Sequence, residues 1–306
     1  MKLSRRELAG ALASGATALG QGPGFPPPPP PKPRKTPMLC LFSQNLSRLH
    51  YSELGGVMKA MGIEGCDLTI RQGGHVLSER APADMVRAIE GVRDEGVDVA
   101  MITTGFFSAA EPWARNVMAI AGGMRVPFFT AGPWPYGGAT DIAAKVADVK
   151  REVAGLMLLG RTYGIAMGVQ NAAGENVGGA VWDAAAMIGD LDAKWVGYYY
   201  DVAAAVMEGG VGGWSVSLRL ALPRLKMVAL SDFTWAKEGG RWRPKPCPMG
   251  EGMVDWGRVF AMLAQARFTG PLSLRLPYDA SGDPAAIGKD LDFVRKVIAS
   301  AYGNVT

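Results

Sequence analysis

Histidine is almost missing from this chain of 306 residues: only His50 and His75 occur. Cysteine is nearly as scarce, with Cys40, Cys66 and Cys247 alone. Any site that needs several imidazoles is therefore short of them. The cysteines show no metal-type spacing, and three thiols make a poor disulfide framework. Cys40 and Cys66 fall in expected neighbouring strands and are expected to be buried thiols. Net charge is also low, at +4, and scattered, with no basic block beyond the N-terminus. That argues against a nucleic-acid partner. No stretch has the ~20 apolar residues of a membrane span. No G-x-G-x-x-G follows the first expected strand, which weakens a dinucleotide-binding fold.

What is plentiful is glycine (41), methionine (16) and tryptophan (8). Together they suggest a glycine-punctuated core with tryptophans that either pack or stack on sugar rings. Residues 1–21 read as a twin-arginine-like signal segment. Ser4-Arg5-Arg6 precedes a mildly apolar run of small residues, and Ala16-Thr17-Ala18 suits cleavage. The expectation is export, to a periplasm. Removal of the segment would lower the net charge to +2. Residues 22–37 are a proline-rich linker, unbroken proline at 26–31, and suit an extended polyproline spacer.

From residue 38 strands and helices alternate. Short apolar runs expected as strands span 38–43, 64–70, 97–102, 126–130, 164–170, 195–200, 226–231 and 271–276. Segments of helical period or with helix-start signals lie between them, at 52–61, 83–95, 111–121, 141–161, 177–188, 216–222 and 254–266, with a last one at 283–302. Eight such repeats in one domain, 38–306, point to a closed (β/α)8 TIM barrel. A doubly wound open sheet is the alternative. Residues 234–253 read as a long loop carrying Trp235 and Trp242, a length more often functional than idle.

In such a barrel the carboxyl ends of the strands share one mouth. The polar residues there are Gln44 and Asn45; Asp67, Thr69, Arg71 and His75; Gln170, Asn171 and Glu175; Asp201; Ser231 and Asp232; and Arg275, Tyr278 and Asp279. Tyr198 and Tyr200 share one strand face and Tyr199 takes the other.

Several stretches carry a family likeness. They are Val-Gly-Tyr-Tyr-Tyr-Asp at 196–201, Pro-Arg-Leu-Lys-Met-Val-Ala-Leu-Ser-Asp-Phe at 223–233 and Met-Gly-Glu-Gly-Met-Val-Asp-Trp at 249–256. Gly-Pro-Leu-Ser-Leu-Arg-Leu-Pro-Tyr at 270–278 and Cys-Asp-Leu-Thr-Ile-Arg-Gln-Gly-Gly-His-Val at 66–76 join them. In that order they resemble the xylose isomerase-like barrels, the sugar phosphate isomerases and epimerases. The resemblance implies a carbohydrate or sugar-acid ligand and a divalent cation, Mn²⁺ or Mg²⁺. The cation would stabilise the oxyanion of an enediol route while carboxylates move the proton.

The cation's ligands are mostly replaced. Gln170 and Asn171 stand where a His-Asn-His-like string is common in the family, Ala229 stands for a histidine, and Arg275-Leu276-Pro277 replaces a His-x-Glu string. Asp201 is the only clear remaining ligand position. The resemblance therefore implies Asp201, Arg275 and Asp232 as catalytic candidates, with Arg275 supplying fixed positive charge. It implies Arg71, His75, Asp67, Gln170, Asn171 and Trp235 as substrate-binding candidates. Pairing of Asp201 with Arg275, and a loop-capping role for Asp232, are the plainer readings of those two acids. The functions left open are an isomerase or epimerase with an altered site, a metal-independent lyase or epimerase, and a sugar-binding relative without turnover.

Overall fold

A computed structural model of the protein describes residues 34–278 and 283–303. The signal segment, most of the proline-rich linker and Asp279 lie outside the described residues. Eight strands form a closed barrel: β1 (Met38–Phe42), β2 (Gly65–Ile70), β3 (Asp98–Thr104), β4 (Phe128–Ala131), β5 (Ala166–Gln170), β6 (Val196–Asp201), β7 (Leu225–Leu230) and β8 (Pro271–Leu274). Every neighbouring pair is parallel, and β8 closes the ring by pairing with β1, Leu41 beside Leu274. Each strand is followed by one helix: α1 (Leu54–Ala60), α2 (Ala81–Asp94), α3 (Ala114–Gly123), α4 (Ile142–Tyr163), α5 (Val181–Ile188), α6 (Val202–Ala221), α7 (Trp256–Gln265) and α8 (Pro284–Tyr302). The open-sheet alternative is thereby excluded.

The strands alternate between two buried environments, so they read as continuous apolar runs rather than as in-out patterns. Outward residues such as Tyr198, Tyr200, Val228 and Leu230 pack under the helices in the main core. Inward residues Met101, Tyr199, Met227 and Ala229 form a second, smaller cluster within the barrel. The period-two split of the three tyrosines is thus realised. Gly168 faces this inner cluster, and a Cβ there would meet the Met227 Cε at 2.1 Å. Cys40 and Cys66 are buried free thiols on adjacent strands, and burial raises both well above the usual thiol range.

Aspartates start half of the helices. The side chains of Asp141, Asp201, Asp255 and Asp283 accept from backbone N–H groups in the first turns of α4, α6, α7 and α8, satisfying donors that have no partner within the helix. Among the described residues no helix is long and apolar enough to cross a membrane.

Two expectations are corrected. The short helix expected at 216–222 is the end of α6, which begins at Val202. Its first half is Ala203-Ala204-Ala205 followed by a glycine run, and small residues carry little hydrophobic periodicity. The helix is interrupted at Gly210, with φ 55° and ψ −146°, so two helical pieces meet there. The loop expected at 234–253 is largely a two-stranded antiparallel ribbon, Asp232–Glu238 with Arg241–Cys247, turning through Gly239-Gly240.

Candidate functional site

Inward-facing polar residues from five strands, or from just beyond them, meet at the carboxyl end of the barrel. Asp67 of β2 is fully buried at their centre. Its Oδ1 accepts from the Thr103 hydroxyl of β3 at 2.7 Å, and its Oδ2 accepts from Ser273 of β8 at 2.6 Å and from the Tyr199 hydroxyl at 3.4 Å. The Arg275 guanidinium completes the set, 3.3 Å from Asp67 Oδ2. A buried carboxylate without such partners would be strongly disfavoured, and this one is satisfied on both oxygens.

Arg275 in turn donates to Thr103 Oγ1 at 3.0 Å and to Gln170 Oε1 at 3.2 Å. Its plane lies over Phe42, 4.3 Å from the ring centre, and near Tyr199 at 4.9 Å. Burial works against its charge. Tyr199, Asp67 and Asp201 outweigh that and hold Arg275 above the usual arginine range. The Gln170 amide turns its other end to Asp201, donating from Nε2 to Oδ2 at 3.0 Å. A continuous line results: Asp67, Arg275, Gln170, Asp201. The direct pairing of Asp201 with Arg275 is therefore corrected. Gln170 stands between them, and the arginine's ion-pair partner is Asp67.

Asp201 ends β6 and caps α6, its Oδ1 accepting from Ala204 N at 3.1 Å. Burial, the largest influence, pushes its carboxyl above the usual carboxylate range despite the Ala204 N–H, Arg275 and Gln170. Asn171 clips the adjacent strand end. It donates to the Asp201 carbonyl at 2.9 Å and accepts from the Asp201 N–H at 2.7 Å. Asn45 does the same between β1 and β8, bonding the Leu274 carbonyl and the Leu276 N–H. Both asparagines are buried and used up by backbone groups.

Arg71 is half-buried beside this group. It donates to Gln44 Oε1 at 2.6 Å and lies 5.9 Å from the Phe42 ring. Burial, then repulsion from Arg275, lowers it below the usual arginine range. The Nε–H groups of Arg71 and Arg275 are both buried and without a protein partner. Such donors cost about 1–3 kcal/mol each unless a ligand or water meets them.

Four residues expected at the mouth stand apart from this line. His75 uses both ring nitrogens on the protein: Nε2 lies 3.2 Å from the Leu46 carbonyl, and Nδ1 lies 3.2 Å from the Ser43 hydroxyl and 3.4 Å from that of Thr69. A carbonyl can only accept, so Nε2 carries a proton toward Leu46. Burial, the largest influence, lowers the His75 pKa below the usual histidine range. Asp232 is 2% exposed and accepts from Phe233, Gly250, Gly252 and Val254 N–H and from the Trp256 indole. It organises the loop between the ribbon and α7. Trp235 is on the ribbon, edge-on to Phe233. Glu175 is exposed in the loop after β5.

The line opens into a cavity of about 490 Å³ bordered by Phe42, Gln44, Asp201, Ser231, Arg275 and Tyr278, among others. That volume suits a small ligand. It does not suit the implied cation. The guanidinium of Arg275 holds the ground between the two acids, Gln170 is neutral, and Asp201 already accepts two hydrogen bonds. Among the described residues no three His, Cys, Asp or Glu side chains group as metal ligands do. Mn²⁺ and Mg²⁺ want several oxygen donors and no fixed positive charge among them.

Thr103, Ser273, Tyr199 and Phe42 were missed as site residues. For three of them the signal was strand parity: Phe42, Tyr199 and Ser273 each stand two residues before a polar residue that lines the mouth, Gln44, Asp201 and Arg275, whereas Thr103 stands two residues from the inward Met101.

No curated protein sequence matches the chain. Solved structures do. A xylose isomerase-like TIM barrel protein from Mycobacterium smegmatis, in complex with magnesium, is 17% identical with a TM-score of 0.66, over 87% of this chain and 98% of that one. An L-ribulose 3-epimerase is 12% identical with a TM-score of 0.68, over 87% and 96%. A probable 3-DHS dehydratase of petrobactin synthesis from Bacillus anthracis is 12% identical with a TM-score of 0.66, over 83% and 98%. At these identities the likeness establishes the fold alone. With the family pattern matching residues 57–297, the chain belongs to the xylose isomerase-like TIM barrel family.

Proposed function

We propose that the barrel mouth binds a small sugar or sugar acid and moves a proton on it without a metal ion, as an isomerase or epimerase with Arg275 as the fixed electrophile. One observation carries the reading: a buried guanidinium and a carboxylate of raised pKa border the same cavity, held apart by one amide. The relevant chemistry is enolisation. The Asp201 carboxylate takes the proton from the carbon next to a carbonyl, and the bond electrons move onto the carbonyl oxygen. Arg275 borders the same cavity as a donor for that oxyanion, and its charge persists at any working pH. In an isomerase the neighbouring hydroxyl passes its proton to the oxyanion and Asp201 returns its own to the former carbonyl carbon; in an epimerase a water molecule protonates the opposite face of the same carbon and the hydroxide left behind takes the proton from Asp201. Arg71 supplies a second positive charge for a carboxylate on the ligand.

A sugar-binding protein without turnover is the second reading. It is favoured by the two hydrogen bonds that Asp201 already accepts. Incubation with keto and aldo sugars and sugar acids in D₂O separates the two. The proposal expects deuterium at the carbon next to the carbonyl, unaffected by EDTA and lost in Asp201→Asn. Binding without exchange supports the second reading. Exchange abolished by EDTA and restored by Mn²⁺ overturns the metal-free mechanism.

A further inference from the structure

The ribbon Asp232–Glu238 with Arg241–Cys247 leaves the barrel at the mouth, directly after Ser231 of the cavity lining. Its register sets Thr234 opposite Lys245, Ala236 opposite Arg243 and Glu238 opposite Arg241. Opposed residues share a face of a ribbon, and so do alternate residues along a strand. One face therefore carries Arg241, Arg243 and Lys245 in a row, spaced roughly 7 Å apart. The other face carries Trp242 opposite Lys237 and Trp235 opposite Pro244.

All five residues from Arg241 to Lys245 are exposed, Trp242 by 67%. Among the described residues Lys237, Arg241, Arg243 and Lys245 have no ion pair or side-chain hydrogen bond, although nine other ion pairs form elsewhere. Glu238 is the only exposed acid on the ribbon. Such a strand edge is costly to leave open, since it invites pairing with other chains. Rows of cations are one device that blunts it. Blunting alone does not account for an exposed Trp242 between two of the arginines.

We propose that this ribbon is a binding arm for an acidic polysaccharide. A polymer laid along the free edge of the second strand meets the cations on one side and the Trp242 ring on the other. Regularly spaced carboxylates match the regularly spaced cations, and aromatic faces suit sugar rings. The row of exposed cations follows from the ribbon's register alone. The choice of a saccharide over other polyanions rests on the carbohydrate reading of the adjacent mouth.

The test titrates the full chain with polygalacturonate oligomers, with a neutral oligosaccharide of equal length, with single-stranded DNA and with phosphatidylglycerol vesicles. The expected result is binding of the polyuronate that weakens with added salt. The triple variant Arg241→Gln, Arg243→Gln, Lys245→Gln should bind it roughly tenfold more weakly or worse. The same positions changed to lysine where they are arginine should retain most of the binding, and Trp242→Ala should weaken it without altering the salt dependence. Arg275→Ala should leave polymer binding intact, which separates this inference from the mouth reading. Four outcomes overturn it: no polyuronate binding, a triple variant that binds as well as the parent, equal binding of the neutral oligosaccharide, or tighter binding of DNA or vesicles.

Discussion

At the scale of single residues, the site depends on how one guanidinium is held. Removing Arg275 removes the charged donor of the mouth. Arg275→Ala should weaken sugar-acid binding by about 1.5–3 kcal/mol, and Arg275→Lys should restore only part, because it keeps the charge and loses the planar fork. Isothermal titration of the three proteins checks both. Asp67→Asn acts differently. It leaves Arg275 buried without its ion-pair partner, and about 3–5 kcal/mol of stability should be lost, read as a lower urea midpoint.

Asp201 makes a pH prediction with a definite sign. Its folded pKa is raised. Between the ordinary carboxylate value and the raised one, the native state holds a proton that the unfolded chain has released. Stability therefore falls as pH rises through that window. Proton abstraction needs the ionised form, so exchange activity rises through the same window. In Asp201→Asn the Asp201 contribution to the pH slope of stability should vanish together with the exchange.

At the scale of elements, Asp232 decides the path of the chain from β7 to α7. It gathers five N–H donors from a stretch of 25 residues, 232 to 256. Asp232→Ala should strand those donors and cost at least ~3 kcal/mol, with a changed Trp256 fluorescence and a loosened ribbon in hydrogen exchange. Gly252 is part of the same knot, since a Cβ there would meet Asp232 Oδ1 at 2.1 Å. The sequence placed Asp232 beyond a strand end, among polar residues that face the mouth. It could not show that the chain folds back at residues 249–254 to surround the acid. The ribbon itself was hidden for a related reason. Arg-Trp-Arg-Pro-Lys-Pro contains two prolines and an alternation of charge and ring, which does not resemble a buried strand. It forms because its partner strand is adjacent and the turn is Gly239-Gly240, where positive φ values of 56° and 80° are free of strain.

At the scale of the whole molecule, barrel closure needs a narrow interior, and Gly168 provides room for Tyr199 and Met227. Gly168→Val should prevent proper closure and lower thermal stability sharply. Gly257→Ala, at an exposed position of α7, should not. Both are checked by calorimetry. Export by a twin-arginine route remains a proposal about residues 1–21. Replacing Arg5 and Arg6 by lysine should leave the precursor unprocessed, as followed by immunoblot of periplasmic and cytoplasmic fractions.

The sequence by itself determined the eight strand–helix repeats, because a parallel strand buried on both faces is written as an apolar run and its helix as a separate period. It also determined which strand residues share a face, so Tyr199 could be separated from Tyr198 and Tyr200, and that the histidines of a metal site were missing. Only the tertiary structure decided who meets whom. Asp67 and Arg275 are 208 residues apart along the chain and meet because β8 closes onto β1, whose other neighbour is β2. Closure brings strands from the two ends of the sequence within one hydrogen bond of each other. Local pattern has no access to that distance, so the partner of Arg275, the saturation of His75 and Asn171, and the withdrawal of Asp232 from the mouth could be read only in the folded barrel.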